Sequence, residues 1–142
     1  MAHPNIAIVE KMYQSLGKGD LETLRNEVFT ADVVWKLPGH HPLSGTMQGI
    51  DEVLAFFRRL GKSGLQAEVI KIDAINEDTV TEVHRVYGES RGVSMDILTC
   101  THYQIRNNKI AQVQDYIHNQ AVADRYFWAN YSLKSIPERL AS

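Results

Sequence analysis

The sequence predicts an α+β domain, and three observations carry that prediction. Two amphipathic stripes at helical spacing open the chain, at Asn5 to Leu16 and Asp20 to Phe29. A third follows at Ile50 to Leu60. The back half holds three runs rich in β-branched and aromatic residues, Thr79 to Tyr87, Val93 to Ile105 and Ile110 to Asn119. The polar stretches between them, Gly88 to Gly92 and Asn107-Asn108, are short, and short connections join neighbouring antiparallel strands.

In chain order, Asn5 is expected to cap a first helix with Ile6, Val9, Met12, Tyr13 and Leu16 on one stripe, stopped by Gly17-Lys18-Gly19. Asp20 caps a short second helix that turns Leu21, Leu24 and Val28 or Phe29 inward. Val33 to Leu37 reads as a strand ended by Pro38-Gly39. An irregular loop, His40 to Gly49, carries two adjacent histidines, and loops are where sites tend to be built. A helix from Gly49 or Asp51 then buries Ile50, Val53, Leu54, Phe57 and Leu60. Gln66 to Ile75 is a strand, and Gln120 to Asn130 a closing helix holding Val122, Tyr126 and Phe127. The aromatic cluster Tyr126-Phe127-Trp128 with Tyr131 is expected to dock on its own domain or a neighbouring subunit, or to form a lid over a pocket. Ser132 to Ser142 reads as loosely ordered, and no repeat or linker divides the chain, so residues 1–142 are read as one domain.

Composition narrows the function classes. A formal net charge of -2 and the lack of any Lys/Arg run argue against nucleic acid or an anionic membrane as partner. No run approaches the ~20 apolar residues of a membrane span, and nothing at the N-terminus resembles a signal peptide. A single cysteine, Cys100, allows no intrachain disulfide and suits a reducing compartment, so a cytoplasmic protein is expected.

The strands mix polar and apolar residues more than a plain core requires. Glu82, His84, Thr99, Thr101, Tyr103, Asp115 and His118 alternate with valine, isoleucine and leucine. Pairing His84 with Ile97 across the turn puts Glu82, His84 and Val86 on one face with Ile97, Thr99, Thr101 and Tyr103. That face is either solvated, an interface, or the wall of a site.

Several stretches carry a resemblance: Met12-Tyr13 through Gly19-Asp20, Trp35-Lys36-Leu37-Pro38-Gly39, Ser44 to Val53 through Phe56-Phe57, and Lys109-Ile110 leading to Asp115-Tyr116. Together with the element order, they resemble the ketosteroid-isomerase-related branch of SnoaL-like proteins, within the superfamily of nuclear transport factor 2. The resemblance implies a cone-shaped, curved antiparallel sheet, cystatin-like, with helices enclosing a deep and mostly apolar cavity. It also implies that inward polar strand residues serve a small molecule. The isomerase's own catalytic set is not matched. Lys36 or Leu37 stands where its aspartate base would be, Met12 aligns with its tyrosine with Tyr13 one residue away, and Thr101 falls on its second aspartate. Ketosteroid isomerisation is therefore not expected.

The resemblance places Val113, Asp115 and Ile117 toward the cavity and leaves His118 outward or at the rim. Asp115 is the expected general acid or base, or else a structural carboxylate paired with Arg85 or Arg106 or bonded to backbone. His84 is a proton shuttle at neutral pH or a histidine bonded to Tyr or Thr. Tyr13 or Tyr103 would donate a hydrogen bond to a developing oxyanion. Trp35, Phe57, Ile97, Thr99, Thr101 and Tyr103 complete the expected wall, with His41 at the rim. The histidines lack metal-ligand spacing, so neither metal nor other cofactor is expected. The expected function is proton transfer on a small hydrophobic or aromatic carbonyl or hydroxyl compound, of isomerase, dehydratase or cyclase type. A non-catalytic small-molecule binder and a protein-binding domain are the alternatives. A homodimer is expected through the outer-face residues Leu98, Cys100, His102 and Gln104.

Overall fold

The computed structural model describes residues 3–131, so the expectation for Ser132 to Ser142 lies outside the described residues. Helix α1 spans Pro4–Lys18. It begins before Asn5 because Pro4 at its first turn needs no hydrogen bond and His3 Nδ1 accepts the Asn5 backbone N–H at 3.2 Å. The Asn5 side chain is used elsewhere, donating to the Glu77 carbonyl at 2.8 Å. Gly19 closes the helix in the left-handed region. Asp20 then caps α2, Leu21–Thr23, through the Thr23 N–H. A π-helical turn, Leu24–Val28, follows and buries Leu24 and Val28.

Strand β1, Phe29–Leu37, starts earlier than Val33, and the His40 to Gly49 loop contains a short strand β2, Gly45–Gln48. Helix α3 is Ile50–Leu60, followed by β3, Gln66–Ala74. Strands β4, Thr79–Ser90, β5, Val93–Arg106, and β6, Lys109–Ile117, form the expected meander, and α4, Gln120–Asn130, ends the described chain.

The strand order is β2-β1-β6-β5-β4-β3. This corrects the expected cone-shaped antiparallel sheet in two ways. Strand β1 runs parallel to β6, with Trp35 opposite Val113, so the sheet is mixed. Strands β2 and β3 are its two edges, so it is open rather than closed. The reason is connectivity. Short hairpins force antiparallel pairing on β4, β5 and β6, whereas β1 reaches β6 only after α3 and four further strands and is free of that constraint. Edge β3 is blunted by exposed Glu68, Lys71 and Asp73.

The hairpin turns set the register. Arg91 and Gly92 both have positive φ, at 52° and 76°, as do Asn107 and Asn108, the geometry of two-residue hairpin turns. The first turn is shorter than the Gly88 to Gly92 stretch suggests, so His84 opposes Thr99 and not Ile97. The offset is two residues, which preserves which side chains share a face.

One face of the sheet is covered by α1, α3 and α4, and the core lies between. The closing aromatics dock on their own domain. Tyr126 Oη donates to the buried Ser63 carbonyl at 2.6 Å, Trp128 Nε1 donates to the His40 carbonyl at 2.6 Å, and Tyr131 Oη donates to the Arg59 carbonyl.

Candidate functional site

A cavity of about 440 Å³ lies between the covered face of the sheet and the three helices. Met12, Tyr13 and Leu16 of α1, Phe56, Phe57 and Leu60 of α3, and Ala123 and Phe127 of α4 supply most of its roof. This volume is in the range of pockets for small organic molecules. The wall is aromatic near β1, where the Trp35 ring meets Phe57 edge to face at 5.1 Å and Tyr103 at 6.4 Å.

The polar groups come from the sheet. Thr101 on β5 opposes Glu82 on β4 on one side and Asp115 on β6 on the other, and period-2 alternation turns all three to the covered face. Asp115 is only 6% exposed. Its Oδ1 accepts from Thr101 Oγ1 and its Oδ2 from Trp35 Nε1, both at 2.8 Å. Burial pushes its carboxyl up to about 6, against the pull of those two hydrogen bonds and of nearby His84, while Glu82 adds to the rise. The alternative pairing with Arg85 or Arg106 does not occur: Arg85 is held by Asp96 at 2.7 Å and Arg106 by Asp32.

Glu82, 1% exposed, is a second buried carboxyl. Its Oε1 accepts from Tyr13 Oη and, at 2.8 Å, from Tyr103 Oη, and its Oε2 lies 2.8 Å from His84 Nδ1. Burial first, then the charge of Glu82, pushes the Tyr13 hydroxyl above its ordinary range. Tyr103 moves the same way, through burial and then its neighbours Tyr13 and Glu82. Both phenols therefore stay protonated and act as donors.

The cavity brings together Tyr13, Trp35, His41, Phe57, His84, Ile97, Thr99, Thr101, Tyr103, Asp115 and Ile117. Val113 is fully buried between Trp35 and Tyr103, its cross-strand neighbours, and does not reach the cavity. His118 is exposed. His41 stacks on Phe127 at 4.5 Å, and burial lowers its imidazole below the usual value against the opposing charge of Asp124. Sequence reasoning assigned no role to Glu82, although alternation places it on the face of His84, two residues away. Nor did it reach Phe56, Leu65 or Met95, which line the cavity from α3, the loop before β3 and β5 with no polar signature, whereas Phe127, in the aromatic cluster for which a lid over a pocket was one expectation, lines it too.

Comparison with known proteins agrees with this architecture. An uncharacterised protein of Mycobacterium tuberculosis is 22% identical over 128 residues, covering 88% of this chain and 96% of the relative. The structure of Bal32a, from a soil-derived mobile gene cassette, superposes with a TM-score of 0.81 at 22% identity, over 89% of this chain and 98% of that one. TerC, co-crystallised with polyporic acid, gives 0.73 at 20% identity over 88% and 98%. An LEH-like epoxide hydrolase of M. tuberculosis gives 0.67 at 17% identity over 89% and 90%. At these identities the structures share the fold. The SnoaL-like domain model matches residues 9–113, most of the described chain, and this protein belongs to the SnoaL-like family.

Proposed function

We propose that the cavity binds a small, mainly apolar carbonyl or hydroxyl compound and moves a proton on it by general acid/base chemistry, without a cofactor. The observation that carries this reading is Asp115, a carboxyl buried on the cavity wall and held by two neutral donors, with no lysine or arginine paired to it among the described residues. A carboxyl that titrates near 6 can take a proton from one ligand atom and return it to another at neutral pH. His84 is the second exchanging group. Tyr13 supports the site through Glu82, because its hydroxyl proton is already committed there. Isomerisation, dehydration and aldol-type cyclisation all fit this pair. The ligands and activities named for TerC and the epoxide hydrolase support a small organic substrate class, and the sequence motifs support kinship with the ketosteroid-isomerase-related branch. A cytoplasmic homodimer through the sheet face opposite the helices completes the proposal.

One observation favours a second reading, binding without turnover. Both oxygens of Asp115 already accept a hydrogen bond, which also suits a structural carboxylate.

Screening cyclic enones and hydroxyketones against the wild type and Asp115→Asn separates the two. Proton transfer predicts a turnover loss of roughly 100-fold or more in a folded variant. A folded variant with unchanged turnover would remove Asp115 from the mechanism.

A further inference from the structure

We infer that Glu82 is a positioning residue that fixes the His84 imidazole with its proton on Nδ1. The group His84 then offers to the cavity is the lone pair of Nε2, and the ligand must bring an O–H, an N–H or an acidified C–H to that point. This deepens the proton-transfer reading above and rests on it for the role of His84, while the geometry of Glu82 stands apart from it.

Glu82 does not line the cavity, yet three polar groups from three elements converge on it: Tyr13 from α1, His84 from β4 and Tyr103 from β5. A carboxylate only accepts, so each group that faces it must donate. The two tyrosines spend their hydroxyl protons on Oε1. The remaining contacts, 2.8 Å to Oε2 and 3.1 Å to Oε1, both come from His84 Nδ1. Tyr13 Oη also lies 3.3 Å from Nδ1, and with its own proton turned to Glu82 it can only accept from that nitrogen. Every neighbour of Nδ1 is thus an acceptor, and the network assigns the proton there. Partnering at one ring nitrogen decides the state of the other. Nε2 has no partner among the described residues, and the ring lines the cavity. The spacing is what makes this possible, since residues two apart on β4 present side chains to one face.

A positioning role differs from a packing role in what it does to the histidine. In Glu82→Gln the amide oxygen suits the place that receives both tyrosine hydroxyls, which turns the amide NH2 toward His84 Nδ1 and drives the proton to Nε2. The test is the tautomer of His84, read at about pH 8 from ring nitrogen shifts of protein labelled with 15N-histidine, its signals identified by their loss in His84→Gln. The expected result is Nδ1–H in the wild type and Nε2–H in Glu82→Gln. A wild-type imidazole carrying its proton on Nε2, an imidazolium at that pH, or an unchanged tautomer in folded Glu82→Gln would each overturn the inference. If Glu82→Gln fails to fold, the wild-type tautomer alone decides. None of these readings needs turnover, so loss of the proton-transfer reading through an active Asp115→Asn protein would leave this result separately visible.

Discussion

Glu82 and Asp115 oppose the same residue, Thr101, from its two sides, so two buried carboxyl groups stand in one cross-strand row with their Cα atoms roughly 9.5 Å apart by the spacing of strands. Their surroundings differ. Glu82 accepts hydrogen bonds from two tyrosines and faces a histidine, whereas Asp115 has only an indole N–H and a threonine hydroxyl. Two carboxyls treated so differently can divide the work, one holding the site in shape and the other exchanging protons.

The environment of Asp115 makes a prediction about stability. Its carboxyl titrates at about 6 when folded, above the ordinary 3.8, so the folded state binds this proton more tightly than the unfolded one. The stabilisation is full below the ordinary value and is lost as pH rises through about 6. Asp115→Asn cannot titrate there. Between about pH 4 and pH 7 the wild type should lose up to about 3 kcal/mol relative to the variant, measured by denaturant unfolding across pH. Parallel pH profiles for the two proteins would contradict the burial argument.

The junction between the histidine loop and α4 depends on Gly39. Its φ of 117° disfavours a side chain, and a Cβ there would fall 2.3 Å from Gln120 Nε2 and 2.6 Å from Asp124 Oδ1. Asp124 Oδ1 accepts from the His40 backbone N–H at 3.2 Å and from Gln120 Nε2 at 2.8 Å, so this contact ties the histidine loop to α4 beside the His41–Phe127 stack. Gly39→Ala should cost ~1–3 kcal/mol and raise hydrogen exchange at His40 and His41. A variant with wild-type stability and exchange would show that the tether carries no strain.

How much of this was legible from the sequence depended on the range of the interaction. Alternation along β4, β5 and β6 gave the right face even with the register two residues off, because an even slip leaves faces unchanged. The parallel pairing of β1 with β6 was not legible, since it joins segments far apart in the chain with no hairpin to announce it. Strand β2 was hidden because Gly45 to Gln48 has little β-branched character and pairs only at an edge. Glu82 shares the alternation that singled out His84, but three donors on one carboxyl come from α1, β4 and β5 and exist only after folding.

The face of the sheet away from the helices presents Leu98, 45% exposed, and Tyr116, 53% exposed, with the Tyr116 ring edge-on to His102 at 5.2 Å. Such side chains suit a self-complementary contact between two copies. Sedimentation should show a dimer at micromolar concentration, and Leu98→Asp should shift it toward monomer without changing the fold. A wild-type monomer under those conditions would contradict the proposed dimer.

The most direct test of the account is the titration of Asp115 itself, followed by the 13C shift of its side-chain carboxyl and assigned by its loss in Asp115→Asn. A midpoint near 6 is the expected result, the behaviour of a carboxyl desolvated on the cavity wall and poised to exchange protons. A midpoint at or below the ordinary 3.8 would make Asp115 a permanently charged structural group and contradict the proposed role.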